Sequence, residues 1–250
     1  EAKFMSNQIH ISFLDRLILK AQQIFHIKFI RVIFCLMRYW LFTLTKKVQK
    51  FKGDDDNLIR FDNGENTLEY NFKKIKHSIF VHDRVLNLIR PLLSLEKVIR
   101  DKPFNKILSI GPRSESELFL LLAHGFRWKN IFALDLFSYT SKFDVGDMHE
   151  MPYKTNSFDI IISGWCLGYS DNFKLALQEK VRVIKDSGII VIGHGYKPEK
   201  KNQRIPNQIE KILLPIKSNI NQVFFKHDIS DEMAKDGLRS VVVVFSVKKK

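Results

Sequence analysis

The residues of this chain that could do chemistry sit at the ends of short apolar runs. Gly111 closes the run Ile107–Ile110, Asp135 stands 24 residues later at the end of a second run, and Asp147-Met148-His149 leads into a third. Gly164-Trp165-Cys166 and His194 end two more. A strand, a glycine turn and a helix make the usual corner that binds a nucleotide, because glycine lets the backbone approach the ligand. Here the corner ILSIGPRSESELFLLL (107–122) has no glycine after Gly111, and Arg113 and Glu115 stand where a phosphate or ribose loop favours residues without side chains. His194 is a candidate base for taking a proton from a hydroxyl or amine acceptor. Cys166 has the chemistry of a nucleophile but reads better as a small buried residue.

The elements that must position these groups alternate. From Lys106 onward, apolar runs of strand length (107–110, 131–134, 160–163, 189–192) are separated by helical patterns at Glu115–His124 and Phe173–Ile184. Such alternation predicts an α/β, doubly wound, mostly parallel sheet with helices on both faces. The tail runs NQVFFKHDI and SVVVVFSV are joined by only SDEMAKDGLR, too short for a comfortable parallel crossover, so they predict an antiparallel pair at one edge. Ligands in such sheets bind beyond the carboxyl ends of the strands at the switch point. The strand-end residues above are therefore expected to ring one cleft.

Three regions are expected: residues 1–52 as a basic amphipathic helical segment, 53–77 as a linker with a β-hairpin, and 78–250 as the alternating domain. Between His10 and Lys52 nine Lys/Arg face Asp15 alone, a large part of the formal net charge of +14. Residues 9–48 lack Pro and Gly, which predicts helix with one break. On a helical wheel Arg16, Lys20, Lys28, Arg31, Arg38 and Lys46 fall within about 120° of arc. The cations would each cost about 2.5–3.5 kcal/mol near a bilayer centre, so the segment is read as lying in the headgroup layer of an anionic membrane, with Tyr39 and Trp40 as anchors. The alternatives are packing on its own domain or on a second copy in a homodimer. Nucleic acid is the weaker partner, because an aromatic apolar face offers a duplex nothing. Residues 58–72 hold two apolar runs around DNGEN, which suggests the hairpin, and Pro91 predicts a kink or boundary in the helical stretch 79–100.

At 250 residues and 45% hydrophobic the chain supports one main core. Its two cysteines, in unlike contexts, argue against disulfides and zinc and for a reducing, cytoplasmic compartment, with peripheral membrane attachment through residues 10–50. The chain opens at Glu1, not Met, which leaves room for a trimmed N-terminus.

The runs ILSIGPRSE, IFALDLF, VGDMHEMPYKTNSFDIIISGWCLGY and ALQEKVRVIKDSGIIVIGHGY resemble, in order and spacing, the class I S-adenosylmethionine-dependent methyltransferases, in particular those acting on small molecules and lipids. The resemblance covers about residues 106–196 and implies a seven-stranded sheet with an antiparallel edge strand and S-adenosylmethionine as cofactor. It implies a cofactor site of Gly111, Pro112, Arg113, Ser114, Glu115, Asp135, Leu136, Asp147, Met148, His149, Gly164 and Trp165. In that site Asp135 would accept the ribose hydroxyls, Asp147 would bond the adenine amine beside Met148, and Gly164 and Trp165 would floor the cleft. The family has an acid where Ser109 stands and glycines where Arg113 and Glu115 stand. The charged corner could instead use Arg113 for the cofactor's carboxylate and Glu115 or Glu117 for its ammonium, with Ser114 and Ser116 capping the helix.

The function this implies is methyl transfer to a hydroxyl of a small-molecule, lipid-linked or glycan acceptor, with Tyr169 and Tyr196 bordering the substrate. The alternatives are a noncatalytic scaffold that keeps the fold and an RNA methyltransferase. A dehydrogenase is disfavoured because GPRSES lacks the glycines that admit a pyrophosphate.

Overall fold

A computed structural model describes residues 12–45, 49–52, 67–81, 84–196, 205–206, 208–230 and 239–249. In chain order its elements are α1 (Phe13–Ala21), a 3₁₀ turn (Gln22–His26), α2 (Lys28–Leu44), β1 (Gln49–Lys50), α3 (Thr67–Lys73), α4 (Ile75–Val81), α5 (Leu86–Leu93) and α6 (Glu96–Asp101). There follow β2 (Ile107–Ile110), α7 (Glu115–Ala123), β3 (Ile131–Asp135), β4 (Phe137–Ser138), β5 (Phe143–Val145), β6 (Phe158–Gly164), α8 (Phe173–Val183), β7 (Ile184–Tyr196), α9 (Ile209–Leu213), β8 (Ile220–Ser230) and β9 (Arg239–Val247).

Seven strands form one sheet in the order β5-β3-β2-β6-β7-β9-β8. The five on one side pair in parallel, and β9 runs antiparallel to both β7 and β8, as the short connection between the last two strands requires. The alternating side chains of the strands feed two cores. Ile107, Ile131, Ile160 and Val191 pack with α2, α4, α5 and α7 on one face, while Leu108, Leu134, Ile161 and Ile190 pack with α8 and α9 on the other. Burial on both faces explains why the central strands read as unbroken apolar runs.

Two expectations about the N-terminal part change. The second run of the proposed hairpin, 67–72, is helical: Thr67–Lys73 is α3, and the apolar spacing of Leu68 and Phe72 packs one helical face against the core. The first run, 58–61, and the turn DNGEN, 62–66, lie outside the described residues. Two cations of the α2 stripe, Arg31 and Arg38, do not face outward either. Arg31 is buried and donates to the Phe25 carbonyl at 2.6 Å and to Ser116 Oγ at 3.2 Å, and Arg38 turns inward to Glu115. These guanidinium groups face the first turn of α7, where the Ser116 hydroxyl and the buried Glu115 carboxylate accept from them. The helix break appears at residues 22–27 as expected, and Pro91 sits inside α5, which ends two residues later.

The N-terminal segment and the sheet share one core, with Cys35 of α2 buried among the residues of α7 and β3. Beyond α2 the chain lies beside β4, where β1 pairs with it and Phe51 N–H donates to the Leu136 carbonyl at 2.8 Å. That return brings α3 to the rim of the strand ends.

Candidate functional site

The order of the sheet reverses at β2, which pairs with β3 on one side and β6 on the other. Beyond the carboxyl ends of these three strands lies a cleft of about 670 Å³. Gly111, Arg113, Asp135, Leu136, Asp147, Met148, His149, Gly164 and Trp165 all line it. Pro112 and Ser114 line an adjoining recess of about 400 Å³, which shares Gly111, Arg113, Gly164 and Trp165 with the cleft.

The turn after β2 is built for close approach. Gly111 has φ +68°, and a Cβ there would lie 2.8 Å from Cys166 Cβ, so this position takes no other residue without a shift. Arg113 and Trp165 also have positive φ, 60° and 56°, a conformation that costs a non-glycine residue about 1–3 kcal/mol. Both are held by neighbours. Arg113 N–H donates to Asp135 Oδ2 at 3.0 Å and its guanidinium donates to Asn71 Oδ1 at 2.5 Å. Trp165 N–H donates to the Gly193 carbonyl at 2.7 Å and its indole to Ser240 Oγ at 3.2 Å.

Asp135 accepts from the Arg113 and Leu136 amides, one on each carboxylate oxygen. Burial outweighs those bonds and raises its pKa to about 6. Each oxygen keeps a further acceptor site. Asp147 accepts from the His149 amide at 2.9 Å and meets His149 Nδ1 at 2.5 Å. The other ring nitrogen of His149 lies 2.6 Å from Ser170 Oγ and 3.2 Å from Asp171 Oδ1. Burial alone would raise the Asp147 pKa, but the bonds from His149 hold it below the ordinary carboxylate value. His149 thus braces Asp147 against the loop after β6.

The first turn of α7 departs from expectation. Glu115 is fully buried and points away from the cleft. Its carboxylate takes a two-pronged contact from Arg38, at 2.6 and 2.9 Å, and accepts from Thr140 Oγ1 at 2.5 Å. Ser114 and Ser116 do not cap the helix by their hydroxyls as expected: Ser114 makes no such bond, Ser116 Oγ accepts from Arg31, and the Glu115 amide donates to the Tyr139 hydroxyl at 2.8 Å. The reason is register. Helical spacing puts Glu115 and Ser116 on the side that meets α2, while Glu117 falls on the side of the recess.

Of the two acids expected to meet the ammonium, Glu117 is the one that faces the recess. It lines the recess with Arg84 and Arg113, and among the described residues its hydrogen-bond partner is Ser109 Oγ. Burial raises its pKa to about 7.

His194 is the other correction. It is buried, it is not among the residues lining the cleft, and neither ring nitrogen has a partner among the described residues. It shares the parity of Ile190 and Ile192, which belong to the core under α8 and α9, whereas a Cβ on neighbouring Gly193 would meet Leu88 and Trp165 on the opposite face. A strand end was visible in the sequence, but not which of two adjacent residues faces the ligand. Burial pushes this imidazole down to about 4. Cys166 is buried against Gly111, and burial raises its thiol above the ordinary range, so it is not poised as a thiolate. Tyr169 borders the cleft, and the side chain of Tyr196 lies outside the described residues.

The polar lining residues Thr67, Asn71 and Arg84 were not anticipated. Arg84 lies over the Trp165 ring, 4.6 Å from its centroid. Thr67 and Asn71 come from α3 and Arg84 from the turn before α5, and no spacing signal in the sequence ties them to the strand ends.

A doubly wound domain with a ligand cleft at its switch point is the class that fold and site define. Residues 109–192 match the family model of the methyltransferase domain. Over 84 residues the chain is 31% identical to ajmaline N-methyltransferase of Rauvolfia serpentina, an alignment that spans 33% of this chain and 29% of that protein. Among solved structures, the N-methyltransferase NodS of Bradyrhizobium japonicum superposes with a TM-score of 0.52 at 14% identity, covering 67% of this chain and 96% of that one. Over residues 109–192 the chain is thus similar to a methyltransferase domain, in line with the sequence resemblance to the class I, S-adenosylmethionine-dependent methyltransferases.

The residues present fit the cofactor of that class. Asp135 keeps acceptor sites open at the end of β3, and Glu117 is a desolvated acid that an ammonium would compensate. Arg84 and Arg113, in the same recess, suit a carboxylate.

Proposed function

We propose that this protein is an S-adenosylmethionine-dependent methyltransferase acting on a small molecule, and that the acceptor is a hydroxyl of an amphiphilic, lipid-linked or glycan compound. The observation that carries the reading is the set of acids around the cleft: Asp135 and Asp147 at the two strand-end positions, with Glu117 in the recess that Arg84 and Arg113 also line. When bound, the cofactor supplies an electrophilic methyl group on sulfur. The chain's own part is to hold and orient. Asp135 would accept from the ribose, Asp147 from the adenine amine, and Glu117 would pair with the ammonium while Arg113 takes the carboxylate. The floor of Gly164 and Trp165 and the walls of Asn71, Arg84 and Tyr169 would align the acceptor and exclude water, and alignment alone supplies a large share of such a reaction's rate. With His194 turned away, no base is assigned.

A nitrogen acceptor is the second reading, favoured by the name of the partial relative, an N-methyltransferase of ajmaline. A neutral amine needs no base to attack, which suits the same site.

Calorimetry of the full chain with S-adenosylmethionine is the first test, and Asp135→Ala should weaken binding by roughly tenfold or more, about the worth of the bonds removed. Labelled cofactor with separate small-molecule, lipid, glycan and RNA fractions is the second. Label entering RNA alone would overturn the small-molecule reading, and absence of any cofactor binding would leave a scaffold with the fold of an enzyme.

A further inference from the structure

The N-terminal helices carry their polarity inside out. In α2 the residues turned to the domain include Arg31, Cys35 and Arg38, while Phe29, Ile33, Phe34, Met37, Trp40, Leu41 and Leu44 face solvent. At 100° per residue the exposed apolar set spans about 140° of arc opposite the buried one. Phe29 and Leu44 are each 73% exposed and Met37 62% exposed, so the face is open along the whole helix. In α1, Phe13, Leu14, Leu17 and Ile18 are exposed, with Arg16 and Lys20 beside them on the wheel. Single exposed apolar residues are ordinary, but a continuous face of this kind is not.

The charge around it selects what covers it. Arg16, Lys20, Lys28, Lys50 and Lys52 are exposed, and Lys76 of α4 lies 5.9 Å from the Trp40 ring. Asp15, the sole acid in 12–52, is held by Arg127 at 3.1 Å. Two copies meeting through this face would bring like charges together, whereas an anionic surface would be met by opposite charge. No helix among the described residues is long and apolar enough to cross a membrane. We infer that α1 and α2 form a docking surface for an anionic lipid bilayer, with the apolar face of α2 lying in the interfacial layer, Lys76 beside it and the exposed cations of α1 meeting the headgroups. Of the stripe read in the sequence, Arg16, Lys20 and Lys28 are exposed, while Arg31 and Arg38 serve the domain. This inference does not depend on the methyl-transfer reading.

Flotation of the full chain with vesicles of phosphatidylcholine alone, or mixed with phosphatidylglycerol, tests it. Binding should require phosphatidylglycerol and weaken severalfold as salt is raised. Replacing three inserted residues together, Met37→Ser, Trp40→Ser and Leu41→Ser, should lower partitioning roughly tenfold or more, since each loses its apolar burial in the lipid. Arg16→Glu with Lys20→Glu should weaken binding to the mixed vesicles severalfold and leave the helices untouched. Circular dichroism and thermal midpoints like those of the parent would show that both variants fold. Absence of flotation, equal binding to neutral vesicles, or binding unchanged in both variants would overturn the inference. So would a stable dimer in light scattering that the triple variant splits, since the face would then belong to a second copy.

Discussion

Glu115 is the residue on which sequence and structure disagree most usefully, and Arg38→Met separates the two accounts. In the structure the Glu115 carboxylate has no exposure, while the Arg38 side chain keeps 30%. Removing the arginine strands a buried charge, with Thr140 as its remaining donor among the contacts described. Breaking a fully buried pair in this way costs about 3–5 kcal/mol, and the partial exposure of Arg38 brings the expected loss to about 2–3 kcal/mol. For a chain of this size that corresponds to a fall of roughly 5–10 °C in thermal midpoint. Glu115→Gln keeps an acceptor for Arg38 and should cost less, about 1–2 kcal/mol. The double variant should be more stable than the sum of the single losses by about 1 kcal/mol, because the stranded charge is gone. Urea titrations followed by circular dichroism would measure the stabilities, and calorimetry with S-adenosylmethionine the affinity. Stability should move in all three variants while affinity stays within about twofold. A Glu115→Gln protein whose affinity falls tenfold with an unchanged urea midpoint would refute this reasoning and return Glu115 to the cofactor.

The other predictions follow from the same geometry. Glu117, with its pKa raised to about 7, must lose its proton to meet an ammonium, so cofactor affinity should rise with pH between 6 and 8, and Glu117→Gln should flatten that profile in calorimetry. For stability the sign is the reverse: between its ordinary value and 7, folded Glu117 binds the proton that the unfolded chain releases, so its contribution favours the folded state as pH falls. His194, held near 4, works against it, since between 6.5 and 4 the unfolded chain binds a proton that the folded ring does not. His194→Phe should therefore lose less stability than the parent as pH drops through that window, as denaturant midpoints at pH 7 and 5 would show, and should retain cofactor affinity. Gly111→Ala places a Cβ 2.8 Å from Cys166 Cβ at a φ of +68°, and its thermal midpoint should fall by an amount matching about 1–3 kcal/mol.

What the sequence by itself determined here is whatever depends on neighbours along the chain. The apolar runs 107–110, 131–134, 160–163 and 189–192 are strands because their residues are buried on both faces, and the brevity of the link between the last two strands dictated their antiparallel edge. Gly111, Asp135 and Asp147 reach the cleft because a strand end is a local feature and the switch point gathers strand ends. Tertiary structure decided the side to which each charged group turns. Glu115 and Glu117 are two residues apart, both acidic, on the same turn, yet one is claimed by Arg38 from a helix 77 residues earlier and the other faces the recess. His194 and Gly193 differ by one position on a strand, and which of them is on the side of Trp165 depends on the packing beneath the sheet. The basic stripe of α2 illustrates the same limit. A helical wheel records which residues share a face, but not whether that face meets solvent or a buried carboxylate, and the electrostatic energy of the distant partner made that choice.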